Sequence, residues 1–536
     1  MSAELAQELE QALGVRTERG WRNFCQTLHE PEALVVEVDS EAQAAAVVRR
    51  CAADGLSLRA VAGWRDVPHC SDGCCLSPLR RDGVEQRYNE SFSWTEASCA
   101  EVMLRFSRRF QRIELPPRAR ARARAAAAAT VCVSAGVQLD ELVDALWQRG
   151  YSLPTGSIIP HVSAVGLAAT GGHGTGRAQP SFAGLVQRLR LCDAEGAIRE
   201  LAEGDAAFAT ARGAHLGLFG VVLAVELRCV PRFWLREARH PLGLESLIAE
   251  LPRLIADSEY LTLSSIPTWP VWDVRVWERT ERPKRRGRGA ERARDLRAAH
   301  AELRQHFEVE SGAALLNAIA DPQLHRLIGG FLQLVGRTNI ASKPEVRVDE
   351  ERRIAHYQVG FPIEIEECSI LFPVARPAPD APYDVRALAA AMRSMAAWTE
   401  EAAARDEYPV TFAMYARFFR GTDGGLSSSS VEGADAGADH VVCALEATTH
   451  RDNPHWPAFR ERFVQLTRDG TLPSAKFHLG KHVPPDRTVA DLYPPATQLA
   501  LRQHLSAWHG SWEAFADGPF LNAWLRRFLA PLAPPL

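Results

Sequence analysis

The sequence predicts an α+β fold, and three observations carry that expectation. The first is a strand, a capped helix and a second strand across residues 34–61. The second is a β-hairpin signal around Asp193-Ala194-Glu195-Gly196. The third is a later half in which short strand patterns alternate with amphipathic helices, the signature of an antiparallel sheet with helices packed on it.

Leu34–Val38 reads LVVEV, a strand, and Ser40 caps the helix that follows and stops at Gly55. Leu58–Val61 is the second strand, so the unit is expected to be a parallel βαβ pair. Residues 1–30 read as a short acidic amphipathic helix and a lead-in, not as a signal peptide. A loop follows with His69, Cys70, Cys74 and Cys75. These are zinc-ligand types, but there is no second half-site elsewhere, so no metal is expected. Arg118–Ala129 is arginine- and alanine-rich without interleaved aromatics to stack on bases, which favours a solvated connector over a nucleic-acid contact.

Composition excludes several classes. The chain has 536 residues, 46% hydrophobic and 24% charged, with a net charge of −4. That length predicts two to four domains. The negative balance argues against nucleic acid or an anionic membrane as the main partner. No apolar run reaches the ~18 residues a membrane-spanning helix needs. Eleven cysteines, an odd number with no repeating framework, fit a reducing compartment, and a cytoplasmic location is expected.

Residues 137–150 carry helical spacing and end on Gly150; the chain then runs YSLPTGSIIPHVSAVGLAATGGHGTG through Gly176. Four glycines after Thr170 remove side chains where another group must approach the backbone. Consecutive free N–H groups there would cradle an anion, with Thr170 and Thr175 adding hydroxyls. The spacing fits neither the dinucleotide fingerprint G-x-G-x-x-G nor the P-loop. A glycine-rich turn with no ligand is the competing reading.

The ordered string of helix, "LP" turn, VGLAATGGHGTG loop and hairpin resembles the FAD-binding domain of the vanillyl-alcohol-oxidase superfamily, most closely its sugar-1,4-lactone oxidase and alditol oxidase branch. The resemblance implies a two-part FAD-binding domain of the PCMH type at residues 12–235, a substrate domain at 236–490, and a C-terminal segment, 491–536, that returns to the FAD domain. It implies FAD contacts from Pro160, Ser163, Gly166, Thr170, Gly171, His173, Gly174, Thr175 and Gly176, with the loop on the pyrophosphate. Gly220, Val221 and Val222, in LGLFGVVLAVELRCV, would contact the adenosine part. Many relatives bond the flavin to a histidine after the second strand. Here Ala62 or Gly63 stands there, followed by Trp64, which implies non-covalent FAD; His69 or a cysteine is the alternative link.

Three later strings continue the likeness. In PVTFAMYARF, Arg417 matches a family arginine and Tyr415 replaces a glutamate. In VVCALEAT, Thr448 matches a threonine and Glu446 stands at a histidine. In KFHLGKH, His478 and Lys481 match, and Leu479 replaces tryptophan. Lys481 is also placed at the flavin. These residues form the expected catalytic wall: Lys481 and His478 as proton acceptors or hydroxyl-orienting groups, Arg417 on an anionic or carbonyl oxygen or on the reduced flavin, Tyr415 and Glu446 on substrate hydroxyls. The implied activity is oxidation of the CH–OH carbon of a polyol, sugar lactone or other small-molecule alcohol, with molecular oxygen as acceptor. The substitutions leave open a tailoring oxidase or dehydrogenase acting on a non-sugar secondary metabolite. From another class, a non-catalytic binding protein on the FAD fold also stays open.

Overall fold

The computed structural model describes residues 3–62 (26 excepted), 64–66, 87–89, 95–117, 129–282, 327–339, 345–356, 365–431 (379 and 423 excepted) and 440–533. The stretches around His69, the arginine run from 118 to 128, and all of 283–326 lie outside them, as does Gly63.

Three main sheets build the chain. The first has four strands in the order Arg16–Arg22, His29–Val38, Val102–Phe106, Leu58–Val61. Ser40 accepts the N–H of Gln43 as helix cap, and Gly55 closes that helix at φ 67°. Both strands of the expected βαβ pair are present and parallel, but they are not neighbours. Val102–Phe106 inserts between them and pairs with each, Leu34 and Leu58 both facing Val102. All five of its residues are buried, so it reads as core rather than as an edge. Arg16–Arg22 is a further strand where a plain lead-in is expected from sequence; its residues are mostly polar because it is an edge strand.

The second sheet is antiparallel, in the order Ile198–Ala202, Val186–Cys192, Val221–Pro231, Ala129–Ser134, Ile113–Glu114, with Tyr151–Ser152 on the far end of Val221–Pro231. The hairpin turns through Asp193–Gly196 as the sequence predicts.

The third sheet has eight antiparallel strands, ordered Glu345–Glu350, Trp234–Gly243, Val271–Thr280, Tyr260–Ser265, Ala413–Arg420, Val441–His450, Ile365–Val374, Lys476–Phe477. Side chains alternate across a sheet. Met414, Ala416 and Phe418, with Leu445, Ala447, Cys368 and Ile370, belong to the main core, which includes Leu251, Met392, Met395 and Phe463 of the covering helices. The intervening residues, Tyr415, Arg417, Glu446, Thr448 and Glu367, take the opposite face. No helix among the described residues is long and apolar enough to cross a membrane.

The C-terminal segment packs against the first two sheets. Leu58 N–H bonds to Pro519 O, Trp508 Nε1 to Phe219 O at 2.7 Å, and Asn522 Nδ2 to Glu96 O at 2.8 Å and Cys99 O at 2.5 Å. Asn522 also caps the last helix by accepting the N–H of Leu525. Asn522→Ala strips the cap and leaves two carbonyls short of a donor. It is expected to cost about 1–3 kcal/mol of stability; a melting temperature within a degree of the parent's would refute that anchor.

Candidate active site

A cavity of about 270 Å³ is lined by residues of all three sheets. One end is lined by Leu58–Ala62, Ser157–Ile159, Val162, Ser163, Gly166, Thr170, Gly172 and His173, with His215–Gly217 and Gly220–Val222 beside them. The other end is lined by Ile365, Glu367, Phe412, Tyr415, Arg417, Thr448, His478 and Lys481. Phe520 from the C-terminal segment closes one wall.

Of the residues expected on FAD, Ala62, Ser163, Gly166, Thr170, His173, Gly220, Val221, Val222 and Lys481 line this cavity. Pro160, Gly171, Gly174, Thr175 and Gly176 do not, and the reason is backbone accounting. The N–H groups of Thr170, Gly171 and Gly172 are taken by Gly166, Ala168 and Leu167 oxygens, and that of Gly176 by Phe418 O at 2.7 Å. The Thr175 hydroxyl donates to main-chain oxygen, Leu261 O at 2.5 Å and Phe418 O at 3.1 Å. Gly174 lies so close to the Thr155–Gly156 turn that a Cβ would stand 2.2 Å from Gly156 O. These glycines permit protein backbones to meet. The expected row of free amides from 170 to 176 is therefore broken at both ends. Pro160 instead bonds Asp140 N–H through its carbonyl, and Trp64 pairs with Asn89 in a two-stranded ribbon.

His173 is the pivot between the two ends. Its ring stacks on Phe419 at 4.6 Å, and its Nδ1 lies 3.2 Å from Gly174 O. A carbonyl only accepts, so Nδ1 carries the hydrogen and Nε2 the lone pair. Nε2 faces Glu446 Oε1 at 3.9 Å. Burial, partly opposed by Glu446, pushes the His173 pKa down to about 3, so the ring is neutral.

Glu446 is the centre of an ion cluster. It is fully buried, and its Oε2 accepts from Arg417 Nε at 2.9 Å and also from Arg417 Nη2. Its Oε1 accepts from Lys481 Nζ. Lys481 also donates to Glu367 Oε1 at 2.6 Å. Burial works against ionisation of Glu446, but Arg417 and Lys481 outweigh it and hold the carboxyl well below its usual range. The Arg417 pKa is raised: burial opposes the charge, and Glu446 and Glu367 more than offset that. Burial and the neighbouring Glu446 push Glu367 up to about 7, against the pull of Lys481.

The six residues expected on the catalytic wall thus come together, with altered roles. Glu446 lies beneath the cavity wall and faces cations, not substrate hydroxyls. Arg417 is committed to Glu446. The ring of His478 accepts the Gly480 N–H at Nδ1, 3.0 Å away, so its Nε2 is a donor. Its pKa is held well below the ordinary value by burial and by Lys481. Tyr415 stands beside Arg417, whose guanidinium carbon is 5.9 Å from its ring centre. Sequence reading misses Glu367 and Phe412. The one available signal for Glu367 is an acid in the run IEECSI that strand alternation sets on the face away from Cys368 and Ile370.

The cofactor end fits a large group with hydrogen-bond acceptors. His215 lines it, is buried, and its Nε2 has no partner among the described residues; its Nδ1 accepts from Gly217 N–H, so Nε2 carries a hydrogen. Arg59 Nε is likewise buried without a partner among the described residues. Orphaned buried donors are costly, and a ligand with oxygen and nitrogen acceptors would satisfy them.

A family profile described as an FAD binding domain matches residues 89–202. The chain carries an FAD-binding domain. L-Gulonolactone oxidase of Bos taurus is 34% identical over 155 residues, 28% of this chain and 35% of that protein. Alditol oxidase of a Streptomyces species is 37% identical over 104 residues, 19% of this chain and 25% of that one. The aligned part thus spans about a third or less of the length of these relatives. Over the whole chain the fold resembles cholesterol oxidase from B. sterolicum, with a TM-score of 0.69 at 13% identity, covering 96% of this chain and 98% of that one. It also resembles a xylooligosaccharide oxidase from Myceliophthora thermophila, with a TM-score of 0.60 at 13% identity, covering 96% and 98%. At such identity the likeness concerns the fold alone, an α+β arrangement.

A carboxyl whose folded pKa is near 7, against an ordinary 4.5, favours folding below about pH 4.5 and loses that contribution as pH rises to 7. At about 1.4 kcal/mol per pKa unit, Glu367→Gln is expected to gain up to roughly 3 kcal/mol on the parent between pH 4.5 and 8. A melting-temperature difference that stays flat across that range would contradict the assignment.

Proposed function

We propose that this protein is an FAD-dependent oxidase that converts the CH–OH carbon of an uncharged alcohol to a carbonyl, with molecular oxygen reoxidising the flavin. The observation that carries the reading is the continuity of the cavity. It runs from the FAD domain at Ala62, Ser163 and His173 to the ion cluster at Glu367 and Lys481. In this reading residues 12–235 with 491–536 form the FAD side and 236–490 the substrate side.

Bound FAD supplies a two-electron acceptor at ring N5; position and electrostatics come from the protein. Lys481, held between two carboxylates, points a donor where an alcohol oxygen can be oriented. Arg417 and Lys481 together provide positive charge where negative charge develops on reduction. His478 adds a neutral N–H donor, and Thr448 a hydroxyl. Each cation of the cluster is already paired with Glu446 or Glu367. That favours a neutral substrate over a hydroxy acid or phosphate ester.

The nature of the substrate follows from the same wall. A polyol demands several hydroxyl partners, and an unmet one discriminates strongly. Here Ile365, Phe412 and Tyr415 line the substrate end among the described residues. This favours a non-sugar alcohol with an apolar body over an alditol. We also infer that FAD is held without a covalent bond, because Ala62 lines the cavity at the position of the superfamily's linking histidine and offers no nucleophile. A cytoplasmic setting belongs to the same reading, because the eleven cysteines of the sequence form no repeating framework.

Acid precipitation of the yellow protein is expected to leave the flavin in the supernatant; colour in the pellet would refute non-covalent binding. Under anaerobic conditions, a panel of neutral alcohols is expected to bleach the flavin, with aryl and long-chain alcohols faster than xylitol. Bound flavin that no alcohol reduces would favour a non-catalytic binding protein.

A further inference from the structure

We propose that Glu367, rather than Lys481 or His478, takes the proton of the substrate hydroxyl. This deepens the alcohol-oxidase reading and rests on it.

The argument is an accounting of lone pairs at the substrate end of the cavity. Lys481 is an ammonium donor bonded to two carboxylates and has no acceptor site. Arg417 has none either. The only ring acceptor of His478, Nδ1, is occupied by the Gly480 N–H. Glu446 has both oxygens bonded to cations, is fully buried, and does not line the cavity. His173 has a lone pair on Nε2, but that atom faces Glu446, and burial makes the ring a very weak base. The Thr448 and Tyr415 hydroxyls are not bases at neutral pH. Glu367 is different. It lines the cavity, its side chain keeps 11% exposure, and one oxygen is bonded to Lys481. The other oxygen takes no hydrogen bond among the described residues. Antiparallel register sets Glu367 directly opposite Thr448 and one strand from Ala413, so it stands in the wall and not at its rim.

The step balances. The O–H bond breaks and its proton forms a bond to the Glu367 carboxylate. The oxygen electron pair closes the C=O bond. The hydride leaves carbon with its electron pair for the flavin, the oxidant that the FAD domain supplies. The side-chain charges also balance: Arg417 and Lys481 against Glu446 and Glu367 sum to zero before the transfer. Protonation of Glu367 leaves the cluster at +1 as the flavin becomes negative, which favours the reduced state.

The experiment is single-turnover flavin reduction by the best neutral alcohol from the panel, on protein with FAD bound. Glu367→Gln is expected to keep its flavin, with an unchanged visible spectrum, and to be reduced 10²–10⁴-fold more slowly, the usual size of a general-base contribution. The parent's reduction rate should rise through an inflection near pH 7 that the variant lacks. Glu367→Ala should recover rate with added formate, in proportion to formate concentration, whereas a residue that merely positions Lys481 would not respond. Glu367→Asp should retain the inflection. Reduction of Glu367→Gln within threefold of the parent would overturn the proposal, as would an unchanged pH profile or no formate rescue. Loss of flavin from all three variants would assign Glu367 to the structure alone and overturn it too. A parent that no alcohol reduces would instead fell the oxidase reading itself; a reducible parent with an equally fast Gln variant would fell only this one.

Discussion

The burial of the Glu446 carboxylate is the constraint on which the rest of this structure depends. A fully desolvated charge is tolerable only when paired and hydrogen-bonded, and removing one partner of such a pair costs about 3–5 kcal/mol. Two cations distant in sequence must therefore converge on it. Arg417 comes from the neighbouring strand and Lys481 from the turn after Lys476–Phe477, while the neutral His173 ring of the glycine-rich loop packs with its Nε2 3.9 Å away. The glycine-rich loop and the eight-stranded sheet thus meet beside the cavity. The pairing that satisfies Glu446 also balances the charge of Arg417, through its Nε and Nη2.

The glycine-rich loop serves this convergence as much as any ligand. Gly176 bridges to Phe419 of the large sheet, and Gly174 sits against Gly156 where a side chain has no room. What reaches the cavity is the first half of the motif, Ser163, Gly166, Thr170 and Gly172, together with the His173 ring. The second half is main chain packed against main chain, Gly174 on Gly156 and Gly176 on the large sheet. Glycine content alone does not distinguish these uses, because removing a Cβ admits protein backbone as readily as it admits a phosphate.

Periodicity was legible wherever one face of an element is buried. The cap at Ser40, the stop at Gly55, the hairpin at 193–196 and the shared face of Tyr415 and Arg417 all follow from local spacing. Strand neighbours were not legible. Val102–Phe106 enters between two strands that precede it, and a pairing across more than forty residues leaves no local trace. Glu367 was missed for a related reason. In isolation it is one acid among several; only its place opposite Thr448 and its contact with Lys481 mark it out.

The residues by themselves determined many of the element types and the α+β class, which rest on short-range spacing, and pointed to FAD through the resemblance of one long ordered string. The tertiary structure decided who pairs with whom. It set Glu446 under the wall, made His478 a donor, spent Arg417 on a carboxylate and left Glu367 with an open oxygen. Proton affinity and hydrogen-bond direction depend on burial and on neighbours within a few ångströms, and those neighbours are supplied by strands far apart along the chain.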